Sequence, residues 1–138
     1  MNIGILGAGN IAGSMARTIC GMAAQGRPVT LCAVASRSQE KADAFAKAYS
    51  IPRAYGSYAA MLNDPLVELV YIATPHSHHA EQIRQCVAAG KPVLCEKSFT
   101  ANAKQAEDVL REAETAGVYV AEAIWTRYMP ARGMIADI

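Results

Sequence analysis

The sequence is short of charge. Only 18% of its 138 residues are Asp, Glu, Lys or Arg, the net charge is +1, and no run of like charges occurs anywhere. No global field therefore draws the chain to nucleic acid or to a membrane surface, and neither is an expected partner. It also lacks paired cysteines. Cys20, Cys32, Cys86 and Cys95 show no metal-ligand or redox-motif spacing, and each lies in an apolar neighbourhood, where a free thiol acts as a small hydrophobe. A reducing compartment, the cytoplasm, is the expected location. No apolar stretch approaches the roughly 20 residues of a membrane-spanning helix. The opening "MNIGILGAGN" has no basic region, so no signal peptide is expected. Repeats, low-complexity tracts and linkers are missing before residue 125.

What is present is a core. Apolar residues make up 52% of the chain, enough for one domain that buries roughly 70% of its unfolded surface. Short apolar runs at 2–7, 29–36, 67–74, 92–97 and 118–123 read as strands buried on both faces. The segments between them have helical periodicity. Asn10 to Gln25 carries Ile11, Met15, Ile19 and Met22; Ser38 caps a helix with Ala42, Phe45, Ala46 and Tyr49. His79, Ile83 and Val87 share a face that ends at Gly90, before Pro92. Thr100 caps a helix running to Gly117, with Ala103, Ala106, Leu110 and Ala113 inward. A short helix follows Ser57 and is broken at Asp64–Pro65. Strand–helix alternation predicts a parallel sheet with helices on both faces.

The stretch Gly7-Ala8-Gly9-Asn10-Ile11-Ala12 falls between the first strand and the first helix. It has the form G-x-G-x-x-A, in which the first glycine permits the turn, the second lets a diphosphate approach the backbone, and the last small residue lets helix and strand pack closely. Free N–H groups at the helix start face the phosphates. The expected fold is α/β, a doubly wound Rossmann parallel sheet of about six strands in the order 3-2-1-4-5-6.

A further absence is chemical. The second strand of such a fold usually ends in Asp or Glu, which binds the adenosine ribose. Here it ends "AVASRSQEK", with Ser36 and Arg37 at that place and no carboxylate before Glu40. Arg37 can pair with a 2′-phosphate and stack on adenine, Ser36 and Ser38 can donate to the same phosphate, and Lys41 adds charge one turn on. The cofactor expected is NADP(H), with NAD(H) possible; the alternative is a solvated arginine at a loop corner.

His76, His78 and His79 lie within four positions, but side chains so spaced diverge around a helix start and no carboxylate or cysteine completes a familiar ligand set. No metal site is expected. Glu96 and Lys97 close the 92–97 run. A lysine there suits proton transfer beside a nicotinamide; an exposed Glu–Lys pair closing a strand fits the residues equally well.

Together "GILGAGNIAGSMA", "AVASRS", "ATPHSHH", "AGKPVLCEKS" and "AEAIWTRYMP" occur in an order that resembles the glucose–fructose oxidoreductase / inositol dehydrogenase family. "IPRAYGSY" and "EAIWTRYMP" point to its branch of dimeric dihydrodiol dehydrogenases and NADP-dependent xylose dehydrogenases. The resemblance implies an oxidoreductase acting on CH–OH groups of a polyol, sugar or dihydrodiol. Gly7, Gly9, Asn10 and Ile11 would form the pyrophosphate loop, and Ser36 and Arg37 the adenosine-phosphate pair. Ala73, Thr74, Pro75, His76, His79 and Glu96 would line the cofactor cleft. Lys97 would be the catalytic residue at the hydride-transfer site, bordered by Trp125 and Arg127. Two residues depart from the pattern: Ser98 replaces the usual proline, which leaves the backbone after Lys97 less constrained, and His76 stands where asparagine is more common.

Such proteins carry a second α/β domain that supplies most substrate contacts and the oligomer interface. Residues 1–123 are read as the dinucleotide-binding domain. Residues 124–138, with Pro130 at a first helical turn, are read as the start of a connection to a second domain that this chain lacks. The chain is then expected to bind cofactor with little turnover, and its uncovered apolar residues to favour self-association, with a homodimer as the simplest form. The competing reading is a non-catalytic dinucleotide sensor or partner subunit.

Overall fold

The computed structural model describes residues 1–129. Its strands are β1 (Asn2–Leu6), β2 (Thr30–Ala35), β3 (Arg53–Tyr55), β4 (Leu69–Ile72), β5 (Val93–Cys95) and β6 (Val120–Glu122). They form one six-stranded sheet in the order β3-β2-β1-β4-β5-β6, as expected from the sequence. Every pairing is parallel, and Ile5 of β1 sits opposite Val34 of β2 and Tyr71 of β4. Parallel neighbours need crossovers, and five helices supply them: α1 (Asn10–Ala24), α2 (Gln39–Tyr49), α3 (Tyr58–Leu62), α4 (His79–Ala88) and α5 (Ala103–Ala116).

The strand order dictates where the helices lie. From β1 the chain steps outward one way to β2 and β3; from β4 it steps the other way to β5 and β6. Right-handed crossovers then put the two sets of helices on opposite faces. On one face Ala12, Ala16 and Ile19 of α1 and Phe45 and Ala46 of α2 pack on Ile3, Ile5, Leu31, Val34 and Tyr71. On the other, Met61 and Leu62 of α3, Ile83, Cys86 and Val87 of α4, and Val109 and Ala113 of α5 pack on Leu6, Ala33, Val70 and Ile72.

Helix ends follow local chemistry. Ser38 Oγ accepts from Lys41 N and Ser57 Oγ from Ala60 N, as their positions suggested. α5 differs from expectation: its cap is Asn102, whose Oδ1 accepts from Gln105 N at 3.0 Å, while Thr100 Oγ1 donates to Asn102 O. That helix therefore turns Val109 and Ala113 inward and leaves Leu110 exposed. α1 also corrects the periodic reading. Ile11 and Met22 face outward, and Ala12 and Ala16 share the interface with Ile19, their small side chains letting the start of the helix pack closely on the sheet. β3 is half-buried and was absent from the apolar runs; as an edge strand it has less surface to bury. Among the described residues no helix is long and apolar enough to cross a membrane. The reading of Pro130 falls outside the described residues.

Candidate functional site

β1 ends in a turn that only glycine makes readily. Gly7 has φ +106°, and a Cβ there would stand 2.8 Å from Ala73 O. Its N–H donates to Ala35 O at 2.8 Å, and Ala73 N donates to Leu6 O at 2.9 Å, so the loops after β1, β2 and β4 are tied at one edge of the sheet. α1 starts immediately, with Gly9 as its cap residue and no side chain accepting from its first amides. A Cβ added at Gly9 would meet no protein atom within 4 Å. The space over the helix start is open.

That space belongs to a cavity of about 240 Å³ with four walls. Gly7, Ala8 and Gly9 form the first; Ser36, Arg37 and Lys41 the second; Ala73, Thr74 and Pro75 the third; Tyr58 the fourth. Eight residues singled out from the sequence thus converge: Gly7, Gly9, Ser36, Arg37, Lys41, Ala73, Thr74 and Pro75. Ser36 is held by its own N–H, which donates to Tyr55 O at 3.0 Å. Arg37 and Lys41 are exposed at the rim, no carboxylate lines the cavity, and neither cation forms an ion pair among the described residues. Ser38 is not among the residues lining this space; its hydroxyl oxygen accepts from Lys41 N as the cap of α2. Asn10 and the outward-facing Ile11 stand at its border, on the first turn of α1.

The turn after β4 is built by α4. Thr74 Oγ1 donates to Gln82 Oε1. His79 is 1% exposed; its Nε2 lies 2.8 Å from Thr74 O and its Nδ1 2.9 Å from Ser98 O. The expectation that His79 lines the cleft is therefore corrected. Burial and two carbonyl partners leave the ring no face for a ligand, and it acts instead as a strut between the turn after β4 and the residue after Lys97. His76 is exposed in the 3₁₀ turn His76–His78. Among the described residues no three His, Cys, Asp or Glu side chains gather as metal ligands would.

At the end of β5, Glu96 is turned away from the small cavity. Its Oε1 accepts from the buried Tyr71 hydroxyl and its Oε2 from Lys97 N at 3.2 Å. Burial, then the adjoining carboxylate, raises the Tyr71 phenol well above its ordinary range, so the hydroxyl stays a donor. Lys97 is exposed at the same sheet edge, and the Lys97–Ser98 peptide is cis. Glu96 instead lines a second, larger cavity of about 720 Å³, together with Leu69, Leu94, Ala121 and Trp125. This groove lies over β4, β5 and β6 on the face that carries α1, and shares no lining residue with the first cavity. Trp125 and Arg127 follow β6 in the exposed 3₁₀ turn Trp125–Tyr128.

Sequence reasoning missed Ala8 and Tyr58. Ala8 is carried passively between two glycines. The signal for Tyr58 was an aromatic residue just after a strand's carboxyl end, on the edge where the other loops converge.

Comparison with known proteins agrees with this geometry. The chain is 39% identical to trans-1,2-dihydrobenzene-1,2-diol dehydrogenase of Mus musculus over 135 residues, 98% of this chain and 40% of that protein. It is 37% identical to D-xylose 1-dehydrogenase (NADP(+)) of Hypocrea jecorina, over 98% of this chain and 37% of that one. The chain thus spans about two fifths of the length of these relatives. A 3-ketoreductase from Actinomadura kijaniata, crystallised with NADP, superposes with a TM-score of 0.89 at 28% identity, over 99% of this chain and 42% of that one. The profile of the GFO_IDH_MocA oxidoreductase family, NAD-binding Rossmann fold, matches residues 1–124, and with the glycine turn, the strand order and the converging loops in place, this chain belongs to that family.

Proposed function

We propose that this chain is the NADP(H)-binding domain of an oxidoreductase acting on the CH–OH group of a polyol, sugar or dihydrodiol. The observation that carries the reading is the second wall of the small cavity. Ser36, Arg37 and Lys41 present cations and a hydroxyl where a carboxylate would otherwise receive a ribose diol, in one space with the glycine turn. The residues fit such a cofactor: Gly9 leaves the helix start uncovered, and the first amides of α1 lack a side-chain acceptor. Gly7, Gly9 and the amides at Asn10 and Ile11 would hold the diphosphate, Ser36, Arg37 and Lys41 the 2′-phosphate, and Ala73, Thr74 and Pro75 the far wall. When bound, the nicotinamide supplies the hydride chemistry. Lys97, exposed at the same sheet edge, would take or return the substrate hydroxyl proton, with Trp125 and Arg127 nearby. The relatives' names support this substrate class.

Residues 1–123 would form the cofactor domain, and 124–138 the start of a connection to a substrate domain. The apolar groove over β4–β6, bare among the described residues, supports this, since parallel sheets of this kind are covered on both faces. Residues 1–138 taken alone would offer one wall to hold substrate near-attack, so tested by themselves they should turn over poorly. The groove also favours self-association, and the free thiols suit a reducing compartment such as the cytoplasm.

Calorimetric titration with NADPH and NADH tests the reading. NADPH should bind more tightly. Arg37→Ala should weaken NADPH roughly tenfold or more and NADH far less, as loss of a charge-assisted contact to the 2′-phosphate predicts. Gly9→Val should abolish both without lowering the melting temperature, because its side chain would enter ligand space alone. Equal affinity for the two cofactors, or an unchanged Arg37→Ala variant, overturns the NADP(H) assignment.

A further inference from the structure

We infer that Tyr58 is the adenine platform of this site, an inference that rests on the dinucleotide reading above. Among the described residues it is the one aromatic side chain lining the small cavity; the other walls offer glycine and alanine backbone, hydroxyls, two cations and a proline. An adenosine 2′-phosphate held at Ser36, Arg37 and Lys41 places its base within one ring's reach of that anion. Of the two flat groups that line the cavity, the Arg37 guanidinium is exposed at the rim, whereas the Tyr58 ring is backed by the core.

The fold holds this ring still. Tyr58 opens α3, and Ser57 Oγ accepts from Ala60 N at 3.2 Å, which fixes the entry into the helix. The preceding strand is tethered to the helix that carries Lys41: Gln39 Nε2 donates to Ala54 O at 3.2 Å, and a Cβ on Gly56 would lie 2.8 Å from Gln39 Oε1. Tyr58 and the cations therefore belong to one braced unit. The ring is half-buried, packed on one side against the core of α3, α4 and α5, with its remaining surface towards the cavity. A ring supported from behind and open in front stacks a base without first having to be ordered.

The two ends of the adenosine pocket then have separable tasks. Arg37 distinguishes a phosphorylated ribose from a plain one. Tyr58 recognises what NADPH, NADH and 2′,5′-ADP share, and so contributes affinity without selectivity. Base–aromatic stacking depends on the π-face and not on the hydroxyl.

The test is calorimetry of NADPH, NADH and 2′,5′-ADP with wild type, Tyr58→Phe and Tyr58→Leu, with urea unfolding to verify each fold. Tyr58→Leu should weaken all three ligands by a common factor of roughly ten, and Tyr58→Phe should stay within about twofold of wild type. A second arm needs no loss of bulk: in Tyr58→Trp, emission from the substituted position should be quenched as 2′,5′-ADP stacks on it. Folded Tyr58→Leu that binds like wild type overturns the inference, as does a loss confined to the two 2′-phosphorylated ligands, or an unquenched Tyr58→Trp that still binds. If wild type binds none of the three, the dinucleotide reading falls with it. If wild type binds and Tyr58→Leu is indifferent, only the role of Tyr58 falls.

Discussion

The two halves of the sheet make the same kind of strand and bury it differently. β3, β2 and β1 are sandwiched between helices, and Ile5 and Val34 are fully buried. β4, β5 and β6 carry equally apolar residues, yet on the α1 face Leu69, Leu94 and Ala121 border an open groove. Composition does not separate the halves; topology does. Among the described residues α1 and α2 lie on one face and α3, α4 and α5 on the other, but α3 packs back over β2, so β3–β1 are covered on both faces and β4–β6 on one. The small cavity lies at the junction, where loops from both halves meet.

The largest expected effect tests this contrast directly. Ile5→Ala should cost about 2–5 kcal/mol in urea unfolding, as for a fully packed core residue, whereas Leu94→Ala, half-exposed, should cost less than about 1 kcal/mol. Equal costs would mean that the groove is filled in solution. A smaller effect concerns the joint between the halves. Asp64 Oδ1 accepts from Leu66 N, its Oδ2 accepts from the Tyr55 hydroxyl of β3 at 2.8 Å, and its carbonyl accepts from Lys91 Nζ at 3.0 Å, just before β5. The Leu66 N–H first, then the Tyr55 hydroxyl and the Arg53 guanidinium, hold this carboxyl below its ordinary range despite burial. A carboxylate depressed by folding contributes stability above its unfolded pKa and loses it as pH falls below about 4. Asp64→Ala should lower stability by about 2 kcal/mol at neutral pH and flatten the acid limb of the stability curve. An unchanged acid limb would remove Asp64 from that role.

The mildest probe is chemical. Cys32, Cys86 and Cys95 are buried, with burial pushing the Cys86 thiol up to about 12 and raising Cys95 further, whereas Cys20 is exposed on α1. Iodoacetamide at pH 8 should label Cys20 alone in the native protein and all four thiols in urea, as read by intact mass. Early labelling of Cys86 or Cys95 would place the looser packing on the side of α4 and β5.

Sequence legibility followed the source of each constraint. The glycine turn, Arg37 and the six-strand order were readable, because steric need at Gly7 and local order along the chain leave marks in the residues themselves. The inner face of α1 was not. Ile11 and Met22 have the right spacing, but the distance between helix and sheet, a tertiary quantity, selects Ala12 and Ala16. Asn102 outcompeted Thr100 as a cap for a similar reason: both are good caps, and where the helix meets the core decides between them. His79 showed its position on α4 but not its direction. Tyr58 was silent because its meaning arises only when three loops distant in the sequence close around it.

The strut has one more implication. His79 grasps residue 98 by its main-chain oxygen, an atom every amino acid carries. Exchanging proline for serine at that place removes a ring but not the handhold. The hydrogen bond behind Lys97 thus survives a change of side chain at that place, so long as the imidazole on the adjoining helix is kept.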